Sequence, residues 1–225
     1  MTGTLWGVGV GPGDPDLLTL KAHRLLSAVP VLAWPAPLEG IGLARAIAAP
    51  HIPEGKTEIP IRLSFRPERD DTDAAYDGAA SAIAAHLDQG RDVAVLCEGD
   101  PLFYGSFAYV LERLAETYPV RVIPGIASPM AAASAHRVPL SGLDDSLVVI
   151  PATQDEEQIE RLLALADRAV IMKLGRHLPK IRRILDRLGL AGLLAERVGL
   201  DGQRLIPLAE AGDETAYFSL ILVRK

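Results

Sequence analysis

The sequence has little of what disulfide-rich, metal-binding or membrane proteins need. Its single cysteine, Cys97, cannot form an internal disulfide. The histidines and acids show neither HExxH spacing nor a Cys/His cluster, so no metal site is predicted. No apolar run approaches the roughly 18 residues of a membrane span, and the N-terminus lacks the basic-then-apolar pattern of a secretory signal. We therefore expect a cytoplasmic protein that does not bind a membrane.

Positive charge is also in short supply. Lysine and arginine number 23 against 29 acidic residues, which gives a net charge of −6 and a pI near 5.4. A nucleic-acid partner would need a concentrated basic face, so none is expected. Apolar residues make up 49% of the chain and charged residues 23%, as in ordinary globular proteins. At 225 residues, the chain can form one large domain or two small ones.

The first part of the chain alternates short apolar runs with helical patterns, which is typical of a parallel sheet flanked by helices. A helix near 72–89 would bury Ala79, Ile83 and Leu87 and end at Gly90. The helix after the first strand is predicted to start at Asp14 as its cap. Strands are predicted at residues 4–10, 30–34, 57–62, 92–97 and 120–123.

Proline, glycine and aspartate interrupt this pattern at residues 137–146, where the residues alone predict a boundary. Beyond it, helices near 155–166 and 177–188 are mixed with strand-like runs. The runs lie near 147–150 and 169–172, with the last at 220–223. This order predicts a smaller α+β domain with a mixed sheet.

The first loop with possible chemistry is GVGVGPGD, residues 7–14. Its alternating glycines let the backbone approach a ligand closely. It is not the dinucleotide fingerprint, because Pro12 and Asp14 fall where that motif needs glycine. The ribose-binding acid is also missing, since residues 29–38 contain no carboxylate. A nicotinamide cofactor is therefore disfavoured, and a tight turn without a ligand stays an alternative.

Two further loops follow predicted strands, EGDPLFYGS at 98–106 and PGIASPM at 124–130. Ligands of open parallel sheets bind at the carboxyl ends of strands. A Gly-Asp-Pro turn and a Ser128 helix cap would explain parts of both loops without a ligand. Convergence of all three loops on one sheet edge is our hypothesis from topology.

Taken together, these loops resemble those of the tetrapyrrole methylases, the class III S-adenosylmethionine-dependent methyltransferases. The blocks that carry the resemblance are VGVGPGD with LLT, GDP and PGI. Within the family, EGDPLFYGSF, IPA, MKLGR and ERVG resemble the branch that methylates carbon 20 of precorrin-2. The branch that methylates uroporphyrinogen III has an aspartate after the second strand and two glycines at the fourth-strand loop. Pro35 and Glu98 stand at those places here, which disfavours that activity.

The resemblance implies two α/β domains, residues 1–125 and 126–225, with the cofactor in a cleft between them and a homodimer as the assembly. The first would be a parallel sheet flanked by helices and the second a mixed-sheet α+β domain. The implied cofactor is S-adenosylmethionine, with S-adenosylhomocysteine as its product. The implied cofactor contacts are Pro12, Glu98, Gly99, Asp100, Phe103, Ala127, Ser128, Met172, Leu174 and Gly199.

The implied reaction converts precorrin-2 to precorrin-3A in cobalamin biosynthesis. Methylation of another corrin carbon, or of cobalt-factor II, is an alternative, as is a non-catalytic module that binds a tetrapyrrole or a nucleotide. No catalytic base is assigned, and the candidates are Tyr104, Glu98 and His136. Because arginine pairs with carboxylates through a bidentate fork, cations are candidate anchors for the substrate's carboxylates. They are Arg62, Arg66, Arg69 and Arg176, with Lys180.

Overall fold

The computed structural model describes residues 2–64 and 69–225, without the side chains of 69–71. The chain divides into two compact units, Met1–Ala127 and Ser128–Lys225. The segment 137–146 lies inside the second unit, where it connects a helix to a strand. The proline and glycine residues there mark a loop within a unit, and the division between the units comes earlier in the chain.

The first unit is built on a five-stranded sheet in the order β3-β2-β4-β1-β5. All neighbouring strands pair in parallel, which confirms the predicted parallel sheet. The carboxyl ends of β1, β4 and β5 therefore lie side by side at one edge. The strands are β1 (Leu5–Gly9), β2 (Val31–Pro37), β3 (Thr57–Leu63), β4 (Val93–Cys97) and β5 (Val120–Ile123).

Residues 2–64 and 69–127 form four α-helices, and the first begins later than predicted. Asp14 caps only a short 3-10 turn, Pro15–Leu17, by accepting a hydrogen bond from the Asp16 N–H. The next residues are extended, and Thr19 then caps the α-helix. Asp14 is a cap, as predicted, but it caps the 3-10 turn and not α1. The helices are α1 (Leu20–Ala28), α2 (Leu43–Ala48), α3 (Arg69–Leu87) and α4 (Phe107–Leu114).

The core of the first unit lies between the sheet and the helices α3 and α4. Ile83 and Leu87 are fully buried and Ala79 nearly so, which confirms the predicted stripe of α3. Cys97 at the end of β4 belongs to this core. Because successive side chains of a strand point to opposite faces, Glu98 is directed to the other face, where α2 lies.

The second unit has a five-stranded sheet in the order β6-β7-β10-β8-β9. Strands β6 and β7 are parallel and the other pairs antiparallel, which confirms the predicted mixed sheet. Its strands are β6 (Leu147–Pro151), β7 (Arg168–Met172), β8 (Ala191–Glu196), β9 (Arg204–Pro207) and β10 (Ser219–Arg224). Its helices are α5 (Ser128–His136), α6 (Glu156–Leu165) and α7 (Leu178–Arg187).

Helices cover both faces of this second sheet. Ile159 of α6 and Ile181 of α7 are fully buried in one cluster. Ala132 of α5 packs with Val170 and Ala195 in another cluster. The alanine-rich sequence of α5 allows a close approach to the strands, because alanine adds little bulk between helix and sheet.

Candidate functional site

The turns after β1 and β4 are bonded to each other. The Gly99 N–H donates to the Gly11 carbonyl over 2.7 Å, and the Gly11 N–H donates to the Gly99 carbonyl over 3.3 Å. Both glycines have positive φ, 81° and 66°, which other residues adopt at a cost. Glycine is thus needed on both sides of this bridge, and Pro12 follows it directly as a half-buried residue.

The turn after β5 packs against the same bridge. A Cβ atom placed on Gly125 would lie 2.0 Å from the Gly99 carbonyl oxygen, and one on Gly9 would lie 2.5 Å from the Gly125 nitrogen. Three backbones therefore meet without intervening side chains. The hypothesis that the three turns converge on one edge of the sheet holds within the first unit.

Asp100 connects two of these turns. One carboxylate oxygen accepts the Leu102 N–H at 2.9 Å and the other accepts the Gly125 N–H at 3.0 Å. The second bond spans the distance between the ends of β4 and β5. A carboxylate with both oxygens engaged by backbone N–H groups holds a loop in one shape.

Apolar side chains project from the turn after β4. Leu102 is 57% exposed and Tyr104 45% exposed, and Tyr104 lies edge-on to Phe103 with ring centroids 5.1 Å apart. Tyr104 has a positive φ of 56°, which is uncommon outside glycine. Exposed apolar groups beside an open backbone edge are suited to cover the apolar part of a ligand.

Glu98 lies at the end of β4 on the α2 side of the sheet. Its carboxylate accepts a hydrogen bond from the Ala44 N–H at 3.2 Å. Burial raises the pKa of Glu98, and hydrogen bonds from its own backbone and from Ala44 oppose the rise only in part. A carboxyl with a raised pKa at a strand end is suited to take up and release a proton.

The remaining predicted cofactor contacts lie at the end of the first unit and in the second. Ala127 is buried and Ser128 begins α5. Leu174 is fully buried after β7, next to Met172. The last, Gly199, lies in an exposed turn in which its N–H donates to Gln203.

Comparison with known proteins places this geometry in a family. Residues 4–212 match the family described as Tetrapyrrole (Corrin/Porphyrin) Methylases. The chain belongs to the tetrapyrrole methylases. It is similar to a precorrin-2 C(20)-methyltransferase from Sinorhizobium, with 44% identity over 98% of the chain and 95% of that protein. A cobalt-precorrin-2 C(20)-methyltransferase from Salmonella typhimurium is 30% identical over 100% of the chain and 98% of that protein.

Solved structures of tetrapyrrole methylases share the fold. A uroporphyrin-III-C-methyltransferase from Thermus thermophilus has a TM-score of 0.72 and 25% identity, and the match covers 100% of this chain and 93% of that one. Another structure of the Thermus enzyme, with a TM-score of 0.73 and 23% identity, contains S-adenosylhomocysteine and covers 99% and 98% of the two chains. The two-unit α/β architecture is thus that of the tetrapyrrole methylases.

A buried polar cluster, missed in the sequence, supports the turn after β4 in this methylase. The side chain of Ser106 lies close to both Tyr76 of α3 and Cys97. Burial is the main cause that raises the pKa of Tyr76 to about 12 and that of Cys97 to about 12. The thiol is therefore protonated at neutral pH, as is usual for a cysteine buried in a core. The sequence around Tyr76 did not indicate this role, because Ser106 is distant from Tyr76 in the sequence.

His136, one of the three candidate bases, lies at the end of α5. Its Nε2 is 3.1 Å from the Leu194 carbonyl oxygen. A carbonyl only accepts, so this contact selects the ring form with a proton on Nε2 and leaves Nδ1 as the acceptor.

A second buried carboxylate, Glu196 at the end of β8, is part of the ERVG segment. Burial alone would raise its pKa, but bonds from Arg204, the Thr215 hydroxyl and the Ala216 N–H hold the pKa of Glu196 below its ordinary value. The group is thus ionised and fully engaged within the second unit. This arrangement holds Thr215 and Ala216 against the end of β8.

The predicted substrate anchors have different surroundings. Arg62 donates to the carbonyls of Pro37 and Gly40 at 2.8 and 2.6 Å, so it braces that turn. Arg66 and the side chain of Arg69 lie outside the described residues. Arg176 is exposed in the 3-10 turn before α7.

Neither a membrane-spanning helix nor a metal-binding group is found among the described residues, and a groove there is separate from the predicted site residues. Within residues 2–64 and 69–225, no helix is long and apolar enough to cross a membrane, and no group of His, Cys, Asp and Glu is arranged to hold a metal ion. A groove of about 270 Å³ in the second unit is lined by Leu140, Leu193 and Leu222 among others. None of the predicted site residues lines this groove.

Glu98→Gln is expected to raise the free energy of unfolding at neutral pH. The pKa of Glu98 is higher in the folded chain than in the unfolded one, so its stabilising contribution is complete at acidic pH and is lost as pH rises through the folded pKa. Glutamine stays neutral, and its Oε1 can still accept from Ala44. The gain should vanish when the pH falls below the ordinary range of a glutamate.

Urea unfolding across a pH series measures this effect. Glu112→Gln, at an exposed position of α4, is the matched control. A wild type more stable than Glu98→Gln at neutral pH, or a difference that does not change with pH, would contradict the raised pKa of Glu98.

Proposed function

We propose that this tetrapyrrole methylase transfers a methyl group from S-adenosylmethionine to carbon 20 of precorrin-2, giving precorrin-3A in cobalamin biosynthesis. The observation that carries the proposal is the 44% identity, over nearly the whole of both chains, with the Sinorhizobium precorrin-2 C(20)-methyltransferase. The segments typical of that branch include Glu98 in place of a first glycine and the MKLGR and ERVG segments.

The turns of the first unit are chemically suited to this cofactor. The close-packed glycines keep side chains out of the sheet edge, and Leu102 and Tyr104 offer apolar surface beside them. We propose Pro12, Glu98, Gly99, Asp100, Phe103 and Ala127 as contacts from this unit. The family resemblance supports the further proposed contacts Ser128, Met172, Leu174 and Gly199.

When bound, S-adenosylmethionine supplies an electrophilic methyl group on its sulfonium. Carbon 20 would receive that methyl with S-adenosylhomocysteine as the leaving group, and the substituted carbon would lose a proton. An electron-rich macrocycle is already nucleophilic, so the protein mainly has to hold the reacting atoms in line and keep water away. The bonds of Asp100 to two turns fix the edge against which such alignment is possible.

The proton lost from carbon 20 needs an acceptor. Of the three candidates, Glu98 has the strongest support, because its raised pKa makes the carboxylate more basic than an ordinary glutamate. Tyr104 is on an exposed turn, and His136 offers only its Nδ1. Their order of importance is testable by comparing the methylation rates of Glu98→Gln, Tyr104→Phe and His136→Ala.

Isotope transfer tests the proposed function. The protein is incubated with precorrin-2 and S-adenosylmethionine labelled with carbon-13 in the methyl group, and the product is examined by NMR. Label on carbon 20 is expected. Label on another ring carbon would assign a different methylase activity, and binding without transfer would identify a non-catalytic module.

A cobalt-containing substrate is the second candidate, because the Salmonella relative is a cobalt-precorrin-2 enzyme. Its lower identity of 30% favours the metal-free substrate. Parallel assays with precorrin-2 and cobalt-precorrin-2 should give the higher kcat/KM for the metal-free compound.

We also propose that the methylase works as a homodimer in the cytoplasm. The family resemblance supports the dimer. Light scattering coupled to size-exclusion chromatography measures the assembly, and a mass of one chain would contradict the dimer.

A further inference from the structure

A cluster of cations stands at one end of the second sheet, where the parallel strands β6 and β7 have their carboxyl ends. The connection from β7 to α7 carries Lys173, Arg176 and His177, and Lys180 lies in the first turn of α7. The carboxyl ends of parallel strands are the usual ligand-binding edge of α/β sheets. We refer to Arg176, His177 and Lys180 as the α7 cationic cluster.

Among the described residues, no acidic side chain forms an ion pair with the α7 cationic cluster. Arg176 makes no hydrogen bond or ion pair with any residue in the described part of the chain, and Lys180 donates to the Gln154 backbone carbonyl at 2.5 Å. Two of the three acids that follow Gln154 are engaged elsewhere, because Asp155 caps α6 and Glu156 pairs with Arg183 and Arg187. The third, Glu157, is exposed and forms no ion pair with the described residues.

The electrostatics of the cluster are unfavourable as they stand. The N-terminal end of a helix is itself positive and is normally occupied by acids or polar caps, whereas α7 has no acid in its first turn and no side-chain cap. Burial and the positive charges of Lys180 and Arg176 lower the pKa of His177. Bound anions would relieve this repulsion.

We propose that the α7 cationic cluster is a carboxylate-binding subsite for the acetate and propionate side chains of the tetrapyrrole. The subsite rests on the proposed function, since it assumes a tetrapyrrole substrate. Arg176 offers an unengaged fork of N–H donors for one carboxylate. Lys180 adds a point charge beside it, and neutral His177 provides a further hydrogen-bond donor.

A buried amide lies next to the cluster. The side-chain oxygen of Gln154 is buried and has no hydrogen-bond partner among the described residues. Such atoms are rare in native structures and mark places where a further group completes the bonding. An N–H group of the substrate would satisfy this acceptor beside Lys180.

The test uses Arg176→Gln and the double variant with Lys180→Gln. The matched control is Arg183→Gln, an exposed arginine of the same helix that pairs with Glu156. Three quantities are measured for each: the KM for precorrin-2, the Kd of uroporphyrin by fluorescence titration, and the Kd of S-adenosylhomocysteine by calorimetry. Uroporphyrin serves as a probe with acetate and propionate groups on every ring.

Arg176→Gln should raise the precorrin-2 KM and the uroporphyrin Kd by about tenfold, the cost of losing one charge-assisted carboxylate contact. The double variant should raise both further and flatten the salt dependence of uroporphyrin binding. Affinity for S-adenosylhomocysteine and the control variant should be unchanged within about twofold. Effects equal to those of Arg183→Gln, or an equal loss of cofactor affinity, would overturn the subsite.

The two proposals fail separately. If the wild type does not methylate precorrin-2 but uroporphyrin binding still depends on Arg176 and Lys180, the subsite stands and the proposed reaction falls. If the wild type methylates carbon 20 and the variants bind both tetrapyrroles normally, the reaction stands and the subsite falls.

Discussion

Asp100→Ala should weaken the binding of S-adenosylmethionine by about tenfold or more, because it removes the acceptor of two backbone N–H groups, and a buried N–H left unsatisfied costs about 1–3 kcal/mol. One of these belongs to Leu102 in the same turn and the other to Gly125 at the end of β5. Without them, the edge that we propose for the cofactor loses its fixed shape. Isothermal calorimetry measures the affinity, and thermal unfolding measures the loss of stability.

Asp92 offers a matched control at the opposite end of β4. Its carboxylate accepts the Thr4 N–H at 2.7 Å and the indole N–H of Trp6 at 3.2 Å. Asp92→Ala should therefore destabilise the fold to a similar extent and leave cofactor affinity unchanged. Unchanged affinity in Asp100→Ala, or an equal loss in both variants, would remove the turn after β4 from the cofactor site.

Gly125→Ala should have the larger effect on cofactor binding. The added Cβ would lie 2.0 Å from the Gly99 carbonyl oxygen and 2.9 Å from the Gly9 Cα. These atoms are backbone, so the turns must move apart. A displacement near 1 Å at a reacting site can cost about 100-fold in reaction rate, so the methylation rate should fall together with the cofactor affinity. Overpacking of this kind costs about 1–3 kcal/mol or more in stability. Cofactor affinity by calorimetry and the free energy of unfolding in urea check both effects.

Two other glycines serve as controls that distinguish a loss of stability from a loss of cofactor binding. A Cβ on Gly3 would lie 2.2 Å from the Arg91 carbonyl oxygen, away from the proposed site, so Gly3→Ala should destabilise the protein without a change in cofactor affinity. Gly78 lies within α3 with no atom near its added Cβ, and Gly78→Ala should stabilise by about 0.4–1 kcal/mol. Strong cofactor binding by Gly125→Ala would show that the close packing of the turns is not needed.

The sequence predicted the parts of the fold that depend on local pattern. The apolar periodicity of α3 located Ala79, Ile83 and Leu87 on its buried side, and the structure confirms it. Glycines after β1, β4 and β5 predicted close backbone approach, because parallel strands bring their carboxyl ends to one edge. The start of α1 was wrong because the Asp14 cap closes a separate 3-10 turn.

The parts that were missed depend on contacts between distant residues. The N–H of Ala44 reaches Glu98 from a helix 54 residues earlier, and Tyr76 reaches Ser106 from α3. The local patterns of a single sequence do not show which distant elements are in contact. For the same reason, the sequence indicated only Arg176 and Lys180 of the α7 cationic cluster. That the nearby Glu156 pairs with Arg183 and Arg187, and not with this cluster, is visible only in the fold.

A crystal structure of this methylase with S-adenosylhomocysteine most directly tests the claim that the convergent glycine turns receive the cofactor. The account predicts that the ligand contacts backbone atoms of the turns at Gly11, Gly99 and Gly125 and lies against Phe103. A ligand bound elsewhere, with these turns left in contact only with solvent or protein, would contradict it.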